Sequence, residues 1–277
     1  MMKNLGIIGY PIGHSMSPNM HNAVIRALGL DYTYIAMSVK PEALKVAVFG
    51  LRALNFRGFN VTIPHKIAIV EYIDEINQGA KAIGAVNTVV NNDGKLRGYN
   101  TDYIGFIVPL KKMNFSIKDK NALVLGAGGA ARAVLWGLIS EGASRITVVG
   151  RNLEKLNALR DQFKEYFEIE IIDWNEDKYA ERCKTADIIV NTTPLGMHPK
   201  VDACPPIDWS CVNKKALAYD LIYTPAITKF LAQAKKNGNT ILNGESMLVE
   251  QGAAAFKMWT SQEALTQVMH NVLAGVK

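Results

Sequence analysis

Short β-rich runs alternate with helical runs along nearly the whole chain of 277 residues, and this alternation restricts the fold more than any other feature. The first predicted strands are "LGIIGY", "YTYIAMSV" and "GFNVTI", followed by a hairpin in "AVNTVVNNDGKLRGYN". A second series begins at "NALVLGAG", and the chain is predicted to be helical from Glu245 almost to its end. Strands separated by helices predict mostly parallel sheets with right-handed crossovers. We therefore expect two α/β domains that meet near the helix after Asp102.

The composition excludes several classes of protein. The net charge is +6, but Lys and Arg never form runs longer than two, so no nucleic-acid partner is predicted. No uncharged segment reaches membrane-spanning length, and the N-terminal apolar run is too short for a signal peptide. Three cysteines without a CxxC pair favour a reducing compartment, and we expect a cytoplasmic protein. The His and Cys spacings match no metal site, so no metal is predicted.

The segment "VLGAGGAA" has the spacing G-x-G-x-x-A between a predicted strand and a predicted helix. In this context the first glycine permits a tight turn, and the second lets backbone N–H groups approach a pyrophosphate at the helix N-terminus. A glycine-rich turn without a ligand is the alternative interpretation. The residues expected at the dinucleotide are Gly126, Ala127, Gly128, Gly129 and Ala130.

The next predicted strand ends in "VVGRN", where a cofactor with a free 2′-hydroxyl usually meets an acidic residue. Gly150, Arg151 and Asn152 occupy that place here. Arg151 can donate paired hydrogen bonds to a 2′-phosphate, and Lys155 adds positive charge one helical turn later. The pattern favours NADP over NAD, although a solvated arginine at a strand end would look the same.

The stretch "NVTIPHK" ends a predicted strand with regularly spaced polar residues. Asn60 and Thr62 are two positions apart, so their side chains face the same side at the carboxyl end of the strand, where open α/β sheets bind ligands. Pro64 stops the strand, and Lys66 is predicted to begin the next element. These groups could surround one small volume, but an exposed lysine at a helix start is the simpler interpretation of Lys66 alone.

Two further segments place polar side chains at the ends of elements in the same part of the chain. "GHSMSP" contains Ser15 and Ser17, and Ser17 before a proline is predicted to cap the first helix. "GAVNTVV" and "GYNTD" contribute Asn87 and Asp102. Each of these residues is common in turns by itself. Together with Lys66 they predict a site that binds hydroxyl groups and contains a Lys–Asp pair.

Eight ordered segments resemble the shikimate dehydrogenase family over essentially the whole chain. They are "GHSMSP", "FNVTIPHK", "GAVNT", "GYNTD", "GAGGAAR", "VNTTPLGM", "DLIYTPAIT" and "NGESMLVEQGAAAF". The resemblance implies the reversible, NADPH-dependent reduction of 3-dehydroshikimate to shikimate. It also implies a mostly parallel α/β substrate domain (1–103 with 245–277) and a Rossmann NADP-binding domain (104–244), with the C-terminal helices returning to the first domain. The family often has Asn-Arg-Thr where this chain has Gly150-Arg151-Asn152.

The resemblance also implies roles for single residues. Lys66, as general acid and base, would form the catalytic pair with Asp102, and Ser15 and Ser17 would bind the substrate carboxylate. His14 and His65 lie beside these residues in the sequence, and they are predicted to be structural or to contact the site residues rather than the substrate. The other substrate residues that it implies are Asn60, Thr62, Asn87, Tyr223 and Gln251. The further cofactor residues are Arg151, Asn152, Lys155, Thr192, Thr193, Leu221, Gly244 and Met247.

Three alternative functions are compatible with the same two-domain fold. A quinate/shikimate dehydrogenase that uses NAD is disfavoured because such relatives often carry Thr at the position of Ser17 and an acid near that of Arg151. A non-catalytic NADP sensor would not need Lys66 and Asp102. A folate-linked dehydrogenase of similar plan would not need the Ser15 and Ser17 pair. The sequence does not distinguish a monomer from a homodimer.

Overall fold

The computed structural model describes residues 2–275, which divide into two compact units. One unit is Met1–Gly105 with Val249–Lys277, and the other is Phe106–Leu248. The chain passes between them twice, once inside helix α4 (Asp102–Lys112) and once inside helix α9 (Glu245–Thr260). The C-terminal helical segment therefore belongs to the first unit, as the sequence predicts.

A mixed six-stranded sheet forms the centre of the first unit. Its strands are β1 (Lys3–Gly9), β2 (Tyr32–Ser38), β3 (Gly58–Val61), β4 (Glu75–Ile76), β5 (Thr88–Asn92) and β6 (Lys95–Tyr99). Their order is β2-β1-β3-β5-β6-β4, with β2, β1 and β3 parallel and with β5 antiparallel to both β3 and β6. The helices around it are α1 (Ser17–Ala27), α2 (Leu44–Ala53), α3 (Gln78–Ile83) and α10 (Thr266–Leu273).

The predicted hairpin is confirmed as strands β5 and β6. At its turn, Asp93 and Gly94 have φ angles of 52° and 90°, and the Asn91 Oδ1 accepts a hydrogen bond from the Gly94 N–H at 2.8 Å. Two successive positive φ angles are what a two-residue hairpin turn requires, and Asp-Gly meets that requirement at low cost.

The predicted helix cap at Ser17 is wrong by one residue. Helix α1 begins at Ser17 itself, and its N-cap is Met16, which supplies no side-chain hydrogen bond. The acceptor comes instead from Ser15, whose Oγ lies 3.3 Å from the Ser17 backbone nitrogen. The Ser17 hydroxyl is therefore not needed at the helix end.

Lys66 does not begin a helix either. It lies in a turn after β3, and a short 3₁₀ segment, Ala68–Tyr72, follows. The Lys66 carbonyl accepts a hydrogen bond from the Val86 N–H at 2.8 Å, so it is already used outside any helix. This contact ties the turn to the residues just before β5.

An aromatic cluster joins α9 to the sheet of the first unit. The His21 imidazole is fully buried and stacks on Tyr34 and Phe256, with ring centroids 4.4 and 6.1 Å away. Trp259 lies 5.5 Å from His21 and donates a hydrogen bond from Nε1 to the Val89 carbonyl at 2.9 Å. Buried aromatic area therefore fixes the end of α9 against β2 and β5.

The second unit is a parallel sheet with helices between its strands, as the second alternation predicts. Its strands are β7 (Asn121–Leu125), β8 (Arg145–Gly150), β9 (Glu170–Asp173), β10 (Ile188–Asn191), β11 (Leu217–Asp220) and β12 (Thr240–Leu242). Its helices are α5 (Gly129–Ser140), α6 (Leu153–Phe163), α7 (Lys178–Thr185) and α8 (Lys229–Asn237). The order β12-β11-β10-β7-β8-β9 reverses direction beside β7, and dinucleotides bind at such a switch point.

The Glu170 carboxylate, on the edge strand β9, contacts three polar side chains. Arg182 donates to it from two nitrogens at 2.6 and 2.8 Å, Thr147 Oγ1 donates at 2.8 Å, and Lys178 Nζ lies 2.6 Å away. The Arg182 hydrogen bonds, opposed by partial burial and helped by the other two donors, lower the pKa of Glu170 to about 2. The ionised carboxylate therefore stabilises this edge of the sheet.

We expect Glu170→Gln to lower the free energy of unfolding of the second unit by about 1–2 kcal/mol near pH 7, since the partly exposed pair is screened by solvent. The folded pKa lies below the ordinary value of 4.5, so this stabilisation is present above about pH 4.5 and is lost as the pH falls toward about 2. Urea unfolding of wild type and variant should show a gap near pH 7 that shrinks near pH 3. Glu168→Gln, an exposed neighbour, is the control, and a gap that does not depend on pH would contradict the ionic explanation.

Candidate active site

Lys66 and Asp102 form an ion pair in the first unit. Lys66 comes from the turn after β3, and Asp102 is the first residue of α4. The Lys66 Nζ lies 2.7 Å from Asp102 Oδ2, and the two side chains keep 31% and 21% of their surface exposed. The predicted pair thus exists in the folded chain, and an ammonium with a partly open surface remains available to a ligand.

Asn87 hydrogen-bonds the carboxylate of this pair. Its Nδ2 donates to Asp102 Oδ1 at 2.8 Å and to Thr101 Oγ1 at 3.0 Å, while its Oδ1 accepts from the Thr101 N–H at 2.7 Å. Asn87 is 2% exposed. One carboxylate oxygen therefore faces Lys66 and the other faces Asn87, which fixes the orientation of Asp102.

Asn60 continues this buried network. Its Nδ2 donates to the Asn87 carbonyl at 3.1 Å and to Thr88 Oγ1 at 3.0 Å, and its Oδ1 accepts from the Tyr34 hydroxyl at 2.7 Å. Burial raises the pKa of Tyr34 well above its usual value, and the hydrogen bond with Ser17 acts in the opposite direction. A continuous chain of polar groups therefore runs from Tyr34 to Lys66.

Three members of this chain were not singled out from the sequence: Tyr34, Thr88 and Thr101. Thr88 and Thr101 stand inside "GAVNT" and "GYNTD", directly after Asn87 and before Asp102, so the signal was present. Tyr34 gives no such signal, because a tyrosine in a strand usually reports packing alone.

The other predicted substrate residues divide between the two units. Ser15, Thr62 and Gln251 are half-buried members of the first unit, which also contains Ser17. Thr62 lies beside the end of β1, where its methyl group approaches Gly9. Tyr223 belongs to the second unit and is 42% exposed. His65 is buried, and its Nε2 lies 2.7 Å from the Val39 carbonyl, a structural contact.

In the second unit, the turn after β7 leaves the N-terminus of α5 open. Gly126 has φ +102°, and a Cβ on it would lie 2.8 Å from Thr193 Cγ2, so both conformation and space exclude a side chain. Gly128 and Gly129 have open space around them, and 128–130 are exposed. The first N–H groups of a 12-residue helix therefore face solvent, as a phosphate-binding turn requires.

The two glycines should respond differently to alanine. We expect Gly126→Ala to destabilise the second unit by about 1–3 kcal/mol, because it adds backbone strain and a clash. Gly128→Ala should leave stability nearly unchanged but weaken dinucleotide binding, since its Cβ would occupy the space that a pyrophosphate needs. Urea unfolding and calorimetric titration with NADP separate the two effects. Equal losses of stability in the two variants, or unimpaired NADP binding by Gly128→Ala, would contradict these separate roles of the two glycines.

A buried carboxylate, Asp220, organises the neighbouring loop and was not predicted. Thr193 Oγ1 donates to Asn191 Oδ1 at 2.7 Å, and Asn191 Nδ2 donates to Asp220 Oδ1 at 3.1 Å. Thr228 Oγ1 donates to the other Asp220 oxygen at 2.6 Å. Burial raises the pKa of Asp220. The hydrogen bonds from Thr228 and Asn191, together with one from the Ile222 N–H, oppose this rise. The network shapes the loop that holds Thr192 and Thr193.

The remaining predicted cofactor residues also lie in the second unit. Gly244 is buried so close to the Leu221 carbonyl that no Cβ would fit, and Met247 is half-buried in α9. Arg151, Asn152 and Lys155 are exposed. Asn152 Oδ1 accepts a hydrogen bond from the Lys155 N–H at 2.9 Å and so caps α6, which gives it a structural role that the sequence pattern did not suggest.

Three family models match the chain in order. "Shikimate dehydrogenase substrate binding domain" covers residues 7–89, "Shikimate / quinate 5-dehydrogenase" covers 109–197, and "Shikimate 5'-dehydrogenase C-terminal domain" covers 244–274. The chain belongs to the shikimate dehydrogenase family. The resemblance of the eight sequence segments is thereby confirmed.

Relatives within the shikimate dehydrogenase family match over nearly their whole length. The shikimate dehydrogenase (NADP(+)) of Nitrosopumilus maritimus is 44% identical over 275 residues, which cover 99% of each chain. Shikimate 5-dehydrogenase from Listeria monocytogenes, in complex with shikimate and NAD, has a TM-score of 0.95 at 33% identity, covering 98% of this chain and 96% of that one. The Thermus thermophilus enzyme, in complex with NADP(H) and shikimate, has a TM-score of 0.88 at 34% identity and full coverage of both chains.

Two negative observations complete the description of this family member. Within residues 2–275, no helix combines the length and the apolarity that crossing a bilayer demands. Over the same described part of the chain, no three His, Cys, Asp or Glu side chains gather so as to hold a metal ion. The three cysteines are free, and burial raises the pKa of the Cys183 thiol to about 12, so this thiol stays protonated at neutral pH.

Proposed function

We propose that this chain catalyses the reversible, NADPH-dependent reduction of 3-dehydroshikimate to shikimate. The observation that carries the proposal is the Lys66–Asp102 pair, clamped by Asn87 at the carboxyl edge of the first sheet, in a chain that matches NADP-dependent shikimate dehydrogenases over its whole length. The first unit would bind the substrate, and the second unit would bind the cofactor.

Lys66 would act as the general acid and base. NADPH, when bound, supplies a hydride to the ketone carbon, and negative charge then develops on the ketone oxygen. The Lys66 ammonium would stabilise this charge and donate its proton to the oxygen, so that the ketone becomes a secondary alcohol. Asp102 would hold the ammonium in place through its 2.7 Å contact. In the reverse direction neutral Lys66 would accept the hydroxyl proton.

The hydroxyl groups of Ser15 and Ser17 would bind the substrate carboxylate. They follow β1 at the same edge of the sheet from which Lys66 emerges, because β1 and β3 are parallel neighbours. The groups of the first unit that would read the ring hydroxyls are Asn60, Thr62, Asn87, Asp102 and Gln251. Asn60 and Asn87 are already hydrogen-bonded inside the protein, so they would act mainly by positioning Asp102 and its neighbours.

The second unit would hold NADP(H) at the exposed N-terminus of α5. The pyrophosphate would lie against Gly126 to Ala130, and Arg151, with Lys155, would bind the 2′-phosphate. Asn152 would cap α6 beside it. Thr192, Thr193, Leu221, Gly244 and Met247 would pack against the nicotinamide half. The open space around Gly128 suits the pyrophosphate, and the exposed side chain of Arg151 suits the 2′-phosphate.

The direct test is oxidation of shikimate by wild-type protein, followed by the absorbance of the reduced nicotinamide. Shikimate and quinate should be compared, each with NADP and with NAD. We expect shikimate with NADP to give the highest kcat/KM. Equal or faster turnover of quinate, or with NAD, would favour the quinate/shikimate alternative. Binding of NADP without turnover of either substrate would overturn the proposed reaction.

A further inference from the structure

The ends of strands β8 and β9 bring an arginine and a tryptophan together. Gly150 and Asp173, the last residues of the two strands, are partners in the sheet register. Arg151 and Trp174 therefore leave neighbouring strands at the same carboxyl edge. The guanidinium carbon of Arg151 lies 5.5 Å from the centroid of the Trp174 ring. At this distance over an indole face, a guanidinium makes a favourable cation–π interaction.

No carboxylate competes with the indole for Arg151. Among residues 2–275, the Arg151 side chain has no ion pair and no hydrogen bond. The acid next to Trp174, Asp173, accepts hydrogen bonds from the backbone and side-chain nitrogens of Asn175 at 3.0 and 2.9 Å. The positive charge of Arg151 is therefore not neutralised. Because none of its N–H donors is hydrogen-bonded within the described part of the chain, they remain open to a ligand.

Trp174 is well suited to hold another side chain in place. It is partly buried, and its ring packs against the hydrophobic core of the second unit, which includes Val149 and Ile172 from the same two strands. An indole anchored in this way has few alternative rotamers. A free arginine at a strand end would instead sample many rotamers, and the entropy of that motion is lost when a phosphate binds.

We propose that Trp174 is a positioning residue that keeps Arg151 ready for the 2′-phosphate of NADP(H) and thereby strengthens the preference for NADP(H) over NAD(H). The proposal rests on the proposed NADP-dependent function. It also gives a physical explanation for Gly150-Arg151-Asn152 at the place where the family often has Asn-Arg-Thr. Asn152 caps α6, and the indole of Trp174 orients Arg151 in place of flanking polar side chains.

The test compares Trp174→Leu and Trp174→Phe with wild type. Two quantities are measured: the Kd of 2′,5′-ADP by calorimetry, and the ratio of kcat/KM with NADP to kcat/KM with NAD. We expect Trp174→Leu to raise the Kd and lower the ratio, each by about two- to fivefold, as the loss of an exposed cation–π contact would do. Trp174→Phe keeps an aromatic face and should recover most of both. Trp136→Leu removes another half-buried tryptophan of this unit, paired with Tyr166 at 5.3 Å, and should leave the ratio unchanged.

A double-mutant cycle with Arg151→Ala gives the decisive comparison. In the Arg151→Ala background, Trp174→Leu should no longer change the Kd of 2′,5′-ADP, because the indole acts through the arginine. An equal effect with and without Arg151, or an equal loss of affinity for 5′-AMP, would overturn the proposal. An unchanged NADP-to-NAD ratio in active Trp174→Leu would overturn this inference alone. Failure of wild type to bind 2′,5′-ADP would overturn it together with the proposed cofactor.

Discussion

Lys66→Met is expected to lower kcat for shikimate oxidation by about 10²–10⁴-fold, which is the contribution typical of a positioned general acid or base. Methionine is also unbranched and only one atom shorter than lysine, and it removes both the charge and the exchangeable protons. Shikimate should still bind, because the hydroxyl groups of Ser15, Ser17 and Thr62 remain. Steady-state kinetics together with calorimetric titration of shikimate measure both quantities. The stability of the fold should change by less than about 1 kcal/mol, since the Lys66–Asp102 pair is partly exposed.

Two further variants show whether the effect belongs to this ammonium. Lys81→Met removes an exposed lysine from α3 of the same unit and should leave kcat within about twofold of wild type, as expected for a surface change. Asp102→Asn should lower kcat by an intermediate factor, because the Lys66 amine remains but loses the carboxylate that orients it. If Lys66→Met retained a tenth of the wild-type kcat, the proton would have to come from another group, and the assignment of Lys66 would be wrong.

The sequence predicted which polar residues of the first unit lie together better than it predicted how they are hydrogen-bonded. Lys66, Asp102 and Asn87 stand at the ends of predicted elements in short polar segments, so they could be recognised as a group, although each has a simpler interpretation alone. Their connection through Thr88 and Thr101 depends on the antiparallel register in which β5 pairs with β3 and β6. A shift of that register by one residue would turn the same side chains to the other face of the sheet. Pattern alone does not supply the register, and the contact of Tyr34 with Asn60 depends in the same way on the parallel pairing of β2, β1 and β3.

In the second unit, the contacts of Asp220 and Trp174 likewise could not be predicted from the sequence pattern. The glycine spacing after β7 is dictated by local backbone conformation, with Gly126 at φ +102°, and local conformation is what a sequence motif encodes. Asp220 joins the segment after β10 to the connection between β11 and α8, and Trp174 meets Arg151 only because β8 and β9 are neighbours. Such contacts join distant parts of the chain and leave no periodic signal.

His21 should make the first unit sensitive to acid. Its imidazole is fully buried among Tyr34, Phe256 and Trp259, and neither ring nitrogen has a hydrogen-bond partner within the described part of the chain. Burial lowers the pKa of His21 from 6.5 to about 3. Between these values the unfolded chain binds a proton that the folded chain does not, so stability is complete above about pH 6.5 and falls as the pH is lowered. The expected loss from this group is about 3 kcal/mol by about pH 4.5.

His21→Leu should remove this part of the pH dependence, because an apolar side chain of similar size has no proton to gain. Trp259 is the one tryptophan of the first unit, so a background with Trp136, Trp174 and Trp209 replaced by Phe lets fluorescence follow this unit alone during urea unfolding. Carboxylates contribute to the slope in both proteins, and the difference between wild type and variant isolates the imidazole. His14→Gln, which removes an exposed histidine, should keep the wild-type slope. Parallel curves for wild type and His21→Leu between about pH 6.5 and about pH 4.5 would show that the buried imidazole is not the acid-sensitive group, and that its site can open to solvent without unfolding.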